Sequence, residues 1–426
     1  MKTWLSFFLS LSIIIGLFLG CSSSSLPYDK PDKQGNSKDQ VLPSSQLIST
    51  LYDKSKIGPE LVKRNSDFAF HIFKQLNKED REKNIFISPL SISTALAMTY
   101  QGAQGTTKEA MAKALRYSDI DIQVLNESYK NLLPHLMKLD HKIELNIANS
   151  IWIRDGVPIQ EPFLSINKEV FNALVSTLDF SKEDAANKIN QWISDATNEK
   201  ISQMIEPPIA PDTIMYLINA VYFKGNWADE FNKEHTLNSL FYREDGRSEE
   251  VMMMSRNGSV EYGQKDDFKV VRLPYENGKT AMYCILPEEG KSTNEFIEDL
   301  DSEKWKIVKD SISHTDDLIL QIPRFQLEYG IKSLKGSLIN LGMEDAFSDD
   351  ADFSGIGDNL CINEVFHKAV IDVNEEGSEA AAATVVEMRV TSAVEPIEFI
   401  ANRPFIFIIA DDETDSILFM GKVYNI

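Results

Sequence analysis

Residues 375–392 (EEGSEAAAATVVEMRVTS) constrain the fold of this chain more than any other segment. Taken in steps of two from residue 378, the side chains are all uncharged: Ser378, Ala380, Ala382, Thr384, Val386, Met388 and Val390. The alternate set carries every charge between residues 378 and 390: Glu379, Ala381, Ala383, Val385, Glu387 and Arg389. Because successive side chains of a strand face opposite sides of a sheet, the pattern predicts a strand with one buried and one solvated face.

The N-terminal half of this segment is unusual for a strand, because four consecutive alanines at residues 380–383 lower its β-propensity. Alanine loses little side-chain entropy on ordering and offers no bulk to obstruct insertion between two neighbouring strands. Gly377, just upstream, provides a conformationally permissive position. We therefore interpret the segment as a strand that can wait outside a sheet and enter it later. An alanine-rich helix end or an ordinary loop remains the alternative from these residues alone.

Several separated blocks of the sequence point to one family. They are residues 84–98 (NIFISPLSISTALAM), 102–109 (GAQGTTKE), 219–227 (NAVYFKGNW), 341–347 (LGMEDAF), 351–355 (ADFSG), 403–407 (RPFIF) and 419–422 (FMGK). In content and order these blocks resemble the serpins, from about residue 60 to the C-terminus. The resemblance implies an α+β fold with three β-sheets, about nine helices and an exposed reactive-centre loop at about residues 375–401. The strand-like runs among helical patterns also favour an α+β fold.

The N-terminal sequence predicts an export signal. Met1 and Lys2 are followed by an apolar stretch over residues 4–19, which is typical of a secretory signal peptide. Gly20 and Cys21, followed by four serines, resemble a bacterial lipoprotein processing site, so we predict loss of residues 1–20 and acylation of Cys21. Plain secretion and a retained membrane anchor remain the alternatives.

The first 58 residues therefore precede the folded domain. Residues 21–58 are rich in Ser, Pro, Asp, Lys and Gln and predict a flexible lipoprotein tether, followed by a serpin domain over residues 59–426. We expect an exported protein anchored at the outer membrane or cell surface, with release into the medium as an alternative. Membrane contact is expected only through the N-terminal lipid.

The net charge of −22 argues against a nucleic-acid partner, because phosphates require a basic surface. After processing and acylation of Cys21, only Cys284 and Cys361 would remain as free thiols, too few for a disulfide framework. Cys284 lies in an apolar run and is interpreted as a small buried hydrophobic residue, whereas Cys361 is left open. We expect a monomer without cofactors.

Motifs for an enzyme are missing from the sequence. It contains no His-Glu-x-x-His, no paired Cys-x-x-Cys and no Gly-x-Ser-x-Gly. The Gly-Lys pairs at residues 278–279 and 290–291 lack the upstream glycine of a phosphate-binding loop. We therefore predict no catalytic residues and no metal site.

The resemblance implies a protease inhibitor that is used once. A target serine protease would attack a bait bond, form an acyl-enzyme, and be carried along as the cleaved strand inserts into the main sheet. A cysteine protease is a further possible target class. The alternative is a non-inhibitory serpin that acts as a carrier, chaperone or storage protein. The small side chains of Ser378 and residues 380–383 favour inhibition.

The bait bond is predicted by family spacing from the hinge residue Glu375, which puts the cut between Thr391 and Ser392. Threonine before the cut suits elastase-like or subtilisin-like proteases. Cleavage between Arg389 and Val390 is the rival and would suit trypsin-like or Arg-directed enzymes. A shift of two residues keeps the same side chains on the same face of the strand, so the pattern permits both. We hypothesise that more than one of these bonds serves as bait.

Other residues match family positions individually. The hinge would comprise Glu375, Glu376, Gly377, Ser378, Glu379, Ala380, Ala381, Ala382, Ala383 and Thr384. The shutter cluster beneath the sheet would comprise Ser88, Ser91, Asn219 and His367, with His367 in a hydrogen-bonding role. Trp227 and Arg324 match the breach at the top of the sheet, where the strand first enters. We predict an ion pair between Arg324 and Glu375.

Overall fold

The computed structural model describes residues 52–139, 142–378 and 397–426. Several predictions lie outside these residues: the signal peptide at residues 1–20, Cys21, most of the tether, and the loop residues 379–396. Within the described ranges, no helix is both long and apolar enough to cross a bilayer.

Nine α-helices occur in the described part of the chain, the number that the resemblance implies. They are α1 Pro59–Glu79, α2 Pro89–Tyr100, α3 Gly105–Leu115, α4 Ile122–Leu136, α5 Glu161–Phe171, α6 Ala185–Ala196, α7 Thr293–Asp299, α8 Ser302–Asp310 and the short α9 Lys335–Leu338. Helix α1 starts at a proline, whose fixed φ suits the first helical turn, and buries Phe68, Ile72 and Leu76 at helical spacing.

Seventeen strands accompany the helices in these ranges. They are β1 Ile85–Ile87, β2 Ile143–Arg154, β3 Leu174–Leu178, β4 Met215–Asn226, β5 Leu237–Tyr242, β6 Ser248–Lys265, β7 Phe268–Pro274, β8 Thr280–Pro287, β9 Ser313–Pro323, β10 Phe325–Glu328, β11 Lys332–Ser333, β12 Phe366–His367, β13 Val370–Asn374, β14 Gly377–Ser378, β15 Ile397–Ile400, β16 Phe405–Asp411 and β17 Ser416–Val423. They form sheets of nine, six and two strands, so the α+β prediction with three sheets is confirmed.

The six-stranded sheet has the order β10-β13-β14-β4-β2-β3 and is the main sheet of the predicted mechanism. Its long antiparallel pair, β2 and β4, runs from Ile143 opposite Gly225 to Ile153 opposite Met215. Helix α6 covers one face, where Trp192 packs with Trp152 and Ile218. The opposite face, which includes Val221 and Phe223, joins the main core.

The nine-stranded sheet runs β1-β17-β16-β8-β7-β6-β9-β15, with β5 paired to β6. Strands β16 and β17 pair antiparallel around the acidic turn at residues 411–415, and both are buried along their whole length. Cys284 on β8 is fully buried, as predicted, and burial raises the pKa of its thiol far above the usual value. Cys361 is exposed.

The last residues of the predicted tether contact the folded domain. Asp53 caps a short 3-10 turn at Lys54–Lys56, and its backbone N–H donates to Asn131 Oδ1 on α4 at 2.7 Å. Lys56 pairs with Glu127 on the same helix, and Lys54 pairs with Glu413. The folded domain therefore includes residues before 59, because residues 53–56 have hydrogen-bond and charge partners on it.

Candidate functional site: hinge, breach and shutter

The first residues of the predicted loop already lie in the main sheet. Gly377 and Ser378 form β14 between β13 and β4, with Ser378 opposite both Val373 and Gly225. This corrects the expectation that residues 375–401 form an exposed loop whose strand waits outside the sheet from Ser378 onward. The chain leaves β13, turns through Glu375 and Glu376, and starts the additional strand immediately.

Gly377 is required for this tight arrangement. Its φ of 151° is disfavoured for residues with a side chain, and a Cβ there would lie 2.2 Å from the carbonyl oxygen of Gly225. The backbones of β14 and β4 can therefore pair at this point only because position 377 carries no side chain. The permissive position predicted from the sequence has a specific structural role.

We expect Gly377→Ala to lower the free energy of unfolding by about 3 kcal/mol, because it adds backbone strain and a clash with β4. Gly278→Ala is a matched control, since Gly278 also has a positive φ but a Cβ there would meet no atom within 4 Å. The control should lose only about 1 kcal/mol. Urea unfolding measures both values, and equal losses would contradict the close approach of β14 to β4.

Ser378 is buried at the top of the sheet beside two aromatic rings. Its hydroxyl lies 3.0 Å from the hydroxyl of Tyr275, and Ser378 is only 1% exposed. The ring of Tyr275 stacks on Trp227 with centroids 4.8 Å apart. Trp227 donates from Nε1 to the carbonyl of Asn374 and from its backbone N–H to the carbonyl of Glu376, each at 3.0 Å. The tryptophan thus holds the turn from which β14 starts, at the place that the sequence predicted.

Tyr275 is a hinge contact that the sequence analysis missed. Its signal is indirect: Gly225 on β4 leaves the space that the ring fills, since a Cβ there would lie 2.9 Å from Tyr275 Cδ1. A glycine inside a strand often marks such a close approach. Nothing local to residue 275 distinguishes it from an ordinary buried tyrosine.

The predicted ion pair of the breach is present. Glu375 Oε1 accepts from Arg324 Nη2 and from Thr236 Oγ1, both at 2.6 Å. The Glu375 side chain is 1% exposed, whereas that of Arg324 is 42% exposed. Burial opposes ionisation of Glu375, but the hydrogen bonds from Thr236 and Arg324 outweigh it, so its pKa lies below the usual value. The carboxylate is therefore charged at neutral pH and fixes the turn before β14.

A second carboxylate holds the same turn. Glu376 forms an ion pair with Lys233, and its own backbone N–H donates to Asn374 Oδ1 at 3.0 Å. The carbonyl of Glu375 accepts from the backbone N–H of Phe231 at 2.8 Å. Both hinge glutamates thus bind the segment that follows β4, so the start of the loop is anchored through side chains and backbone.

The C-terminal end of the predicted loop is also part of a sheet. Residues Ile397–Ile400 form β15, parallel to β9, and the N–H of Ala401 donates to the carbonyl of Gln321 at 2.9 Å. The loop boundaries at 375 and 401 are therefore too wide at both ends. The hinge residues 379–384 and the bait candidates Arg389, Val390, Thr391 and Ser392 lie outside the described residues.

The four predicted shutter residues are brought together beneath the sheet. The N–H of Ser88 donates to His367 Nε2 at 3.1 Å, and the Ser88 hydroxyl donates to the carbonyl of Leu418 at 2.8 Å. The N–H of Ser91 donates to the Ser88 hydroxyl at 3.3 Å, and the Ser91 hydroxyl donates to Asn219 Oδ1. A continuous hydrogen-bond chain thus links α2, β12 and β4.

The chain continues through a residue that the sequence analysis missed. Asn219 Nδ2 donates to Asn149 Oδ1 at 2.6 Å, and Asn149 Nδ2 donates to the carbonyl of Phe171 at 2.7 Å. The two asparagines face each other in the β2–β4 pair. The sequence does contain a signal for Asn149, which is a polar amide within the largely apolar run over residues 145–153. A buried amide needs a hydrogen-bond partner, so its presence there indicates a specific contact.

His367 accepts a hydrogen bond through Nε2, so that nitrogen carries no proton. The residue is 4% exposed, and burial lowers the pKa of its imidazole to about 4. The ring is therefore neutral across the physiological range. This is consistent with the expected structural role and leaves the ring unsuited to proton transfer at neutral pH.

The lowered pKa predicts a pH dependence of stability. Between about pH 6.5 and 4 the unfolded chain binds a proton at His367 that the folded chain does not, so stability falls as the pH falls through this window. From pH 7 to 5 we expect a loss of about 2 kcal/mol in the wild type that is absent in His367→Gln. Urea unfolding at both pH values measures the difference between the two proteins. An identical pH dependence would contradict a buried neutral imidazole.

Beyond Ser378, the edge of β4 that faces β13 has no strand paired to it among the described residues. We call the space between these two strands the slot. Among the described residues, only Gly377 and Ser378 pair with β4 on this side, and β13 and β4 share no hydrogen-bond ladder. A cavity of about 400 Å³ lies at the lower end, between the first residues of β4, helix α2 and residues 359–367. If β14 were extended in the same register, Met388, ten residues after Ser378, would reach Met215 at the start of β4. The strand positions on β4 thus match residues 377–388.

These features define a serpin, and comparison with known proteins places the chain in that family. The family profile for Serpin (serine protease inhibitor) matches residues 63–426. The chain therefore belongs to the serpin family.

Individual relatives agree with this assignment. A serpin-like protein of Methanosarcina mazei is 34% identical over 96% of this chain and 94% of its own length. Intracellular coagulation inhibitor 2 of Tachypleus tridentatus is 35% identical over 84% of this chain and 89% of its own length.

Solved structures show the same fold. The native thermophilic serpin tengpin is similar with a TM-score of 0.77 at 33% identity, covering 89% of this chain and 96% of that chain. Human thyroxine-binding globulin is similar with a TM-score of 0.78 at 28% identity, covering 86% and 98% of the two chains.

Proposed function

We propose that this serpin is a suicide-substrate inhibitor of serine proteases. The observation that carries the proposal is β14, since Gly377 and Ser378 already begin a strand in a slot of matching length. The target protease cleaves the bait bond and remains joined to the new C-terminus as an ester. The freed strand then extends β14 between β13 and β4 and moves the acyl-enzyme with it. Serpin loop insertion is a standard example of strand addition to a sheet.

Magnitudes support this mechanism. Extending β14 from Ser378 to Met388 adds ten residues to the sheet and about ten backbone hydrogen bonds, each worth roughly 1 kcal/mol net. The whole segment from Ser378 to the predicted bait residue Thr391 would span about 46 Å when extended at 3.3 Å per residue. The free energy of these new hydrogen bonds is comparable to the roughly 5–15 kcal/mol that stabilises a typical protease domain. Insertion can therefore distort a catalytic site, and the uncleaved fold is a kinetic trap.

The strand's apolar face fits the slot that would receive it. Ser378 points into the core at Tyr275, so each second residue after it would also point inward. This is the uncharged set that ends in Met388 and Val390, while Glu379, Glu387 and Arg389 fall on the opposite face. The register of β14 is thus compatible with burying no charge on the core face.

The direct test is a protease panel. The chain without its signal peptide is mixed with elastase, subtilisin, trypsin and a papain-like cysteine protease, and products are separated after boiling in detergent. We expect at least one serine protease to give a band at the summed mass of the two proteins. Cleavage by every protease without such a band would reject inhibition.

The bait hypothesis has its own test. We expect Thr391–Ser392 as the main cut for elastase-like enzymes and cleavage after Arg389 for trypsin-like enzymes, with Val390 as a neighbouring option. Mass spectrometry of the released C-terminal peptide identifies each cut. Identical cut sites for trypsin and elastase would contradict the use of more than one bait.

A non-inhibitory role as carrier, chaperone or storage protein is the second candidate. The similarity to thyroxine-binding globulin, whose name describes ligand binding, favours considering it. The hinge argues for inhibition, because Ser378 and residues 380–383 are small and insertion of such side chains requires little space. Stable complexes in the protease panel decide between the two functions.

We also propose that the protein is exported and anchored by a lipid on Cys21, after loss of residues 1–20, at the outer membrane or cell surface. The support is the sequence around Gly20 and Cys21 together with the polar residues that follow. Metabolic labelling with palmitate should mark the wild type and not Cys21→Ser. Equal labelling of both proteins would reject this anchor.

A further inference from the structure

One short segment of the chain binds the hinge turn at Glu375 and Glu376. This segment, residues 227–236, follows β4, and we call it the hinge clamp. It contacts the two glutamates at four points, through two backbone N–H groups and two side chains. The four residues are Trp227, Phe231, Lys233 and Thr236. The position of the turn from which β14 starts therefore depends on what fixes the hinge clamp itself.

Arg256 on β6 contacts the hinge clamp from the nine-stranded sheet. Its Nη1 donates to the carbonyl of Asp229 at 2.7 Å, and its guanidinium carbon lies 5.3 Å from the centre of the Phe231 ring. A guanidinium at this distance from an aromatic ring makes a favourable cation–π contact. Phe231 is 4% exposed, and its backbone N–H donates to the carbonyl of Glu375 at 2.8 Å. A single residue thus separates Arg256 from the hinge turn.

The surroundings of Arg256 indicate a contribution to position more than to stability. Its side chain is 16% exposed, and within the described ranges its one hydrogen bond is that to Asp229, because Nε is buried without a partner. Burial lowers the pKa of the guanidinium, and the Asp229 carboxylate at 3.7 Å only partly opposes this. A largely buried charge with so few partners adds little net stability, so we expect its main effect on the segment that it contacts.

The hinge clamp has a further bond to the nine-stranded sheet near its start. The backbone N–H of Ala228 donates to the carbonyl of Pro274, at the end of β7, at 2.9 Å. This bond fixes the beginning of the segment, whereas Arg256 contacts its middle at Asp229 and Phe231. The part of the hinge clamp that bonds to Glu375 is therefore the part that Arg256 holds.

We propose that Arg256 is a positioning residue for strand insertion: it holds Asp229 and Phe231 so that the hinge turn stays docked while the cleaved strand extends β14. With the hinge clamp fixed, insertion starts from a strand that is already paired. With the hinge clamp loose, Gly377 and Ser378 leave the sheet more often, and insertion must first form these pairs again. The effect on insertion rests on the proposed function; the anchoring of the hinge clamp does not.

The first test uses the whole folded chain and no protease. Hydrogen exchange is measured by mass spectrometry on peptides covering residues 227–236 and 374–378. We expect R256Q to speed exchange in both peptides about tenfold, because the loss of one charge-assisted hydrogen bond favours local opening by about this factor. R256K keeps a donor for the Asp229 carbonyl and should exchange more slowly than R256Q.

R403Q is the matched control. Arg403 is also partly buried and donates to a backbone carbonyl, that of Pro287 at 2.9 Å, and burial lowers the pKa of its guanidinium as well. Pro287 belongs to β8 and not to the hinge clamp. R403Q should reduce the stability of the protein as R256Q does, but exchange in residues 227–236 should keep its wild-type rate.

Inhibition kinetics separate positioning from a general loss of stability. With the most reactive serine protease of the panel, R256Q should raise the stoichiometry of inhibition at least about threefold, while its association rate constant stays within about twofold of the wild type. The protease still binds the bait loop, but slower insertion competes less well with hydrolysis of the acyl-enzyme. R256K should fall between R256Q and the wild type, and R403Q should match the wild type in both quantities.

Three results would overturn the proposal: unchanged exchange in the hinge clamp of R256Q, equal acceleration of this exchange by R403Q, or a wild-type stoichiometry of inhibition for R256Q. A wild type that forms no covalent complex with any protease would reject the proposed function and with it the role in insertion. The exchange rates would still decide whether Arg256 anchors the hinge clamp, so the two failures are distinguishable.

Discussion

Ser378→Arg should convert the inhibitor into a substrate. Ser378 is 1% exposed and faces Tyr275, so an arginine there brings a buried charge without a partner into the core. Even about 3 kcal/mol of extra barrier slows insertion roughly a hundredfold, which gives water time to hydrolyse the acyl-enzyme. We expect the detergent-resistant complex to fall to below about a tenth of its wild-type yield, while cleavage of the loop continues.

Ser378→Ala is the matched control. It keeps a small side chain and removes only the hydroxyl contact with Tyr275, which costs about 1 kcal/mol. Its complex yield should remain close to that of the wild type. Gel densitometry after incubation with the most reactive protease of the panel measures both variants. Wild-type yields from Ser378→Arg would contradict inward insertion at this position.

Cleavage of the loop should raise the thermal unfolding temperature by about 20 °C or more. The gain comes from about ten new hydrogen bonds and the burial of apolar residues up to Met388, with roughly 2 °C for each kcal/mol in a chain of this size. The protein is nicked with a non-target protease that cuts within residues 379–396 and is then heated in a calorimeter. Two residues of the strand are already docked, so the gain belongs to the residues beyond Ser378.

A nicked Ser378→Arg variant is the internal control for this experiment. It has the same cut chain and the same net loss of loop connectivity, but the arginine displaces Ser378's position from the core, so the residues after it have no docked strand to extend. The unfolding temperature of the nicked variant should stay near that of the same variant before nicking. A wild type that shows no increase on cleavage would indicate a loop that does not insert and would favour the carrier role.

Much of the fold was predictable because the relevant signals are local. Helix α1 follows from the spacing of Phe68, Ile72 and Leu76, and the β16–β17 hairpin follows from two apolar runs around an acidic turn. The ion pair of Arg324 and Glu375 and the assembly of the shutter follow from motifs that resemble those of the family. These features need only residue types and spacing, or a family position, to be located.

The features that the sequence did not predict depend on contacts between residues far apart in the chain. The contact between Ser378 and Tyr275 joins residues 103 apart in the chain, and that between Asn219 and Asn149 joins residues 70 apart. The docking of β14 depends on Gly377 and Gly225 approaching each other, which neither glycine indicates alone. The alternation of uncharged and charged residues predicted which face of the strand can be buried. It could not predict how many residues are already in the sheet, because the sequence pattern is the same before and after insertion.

The central claim is that the cleaved loop continues β14 between β13 and β4. A crystal structure of the chain cut at its bait tests it most directly. We predict a full strand through the slot, with Met388 opposite Met215 and the Ser378–Tyr275 contact retained. A cleaved structure in which residues 379–388 lie outside the sheet, with β13 and β4 paired to each other, would contradict the claim.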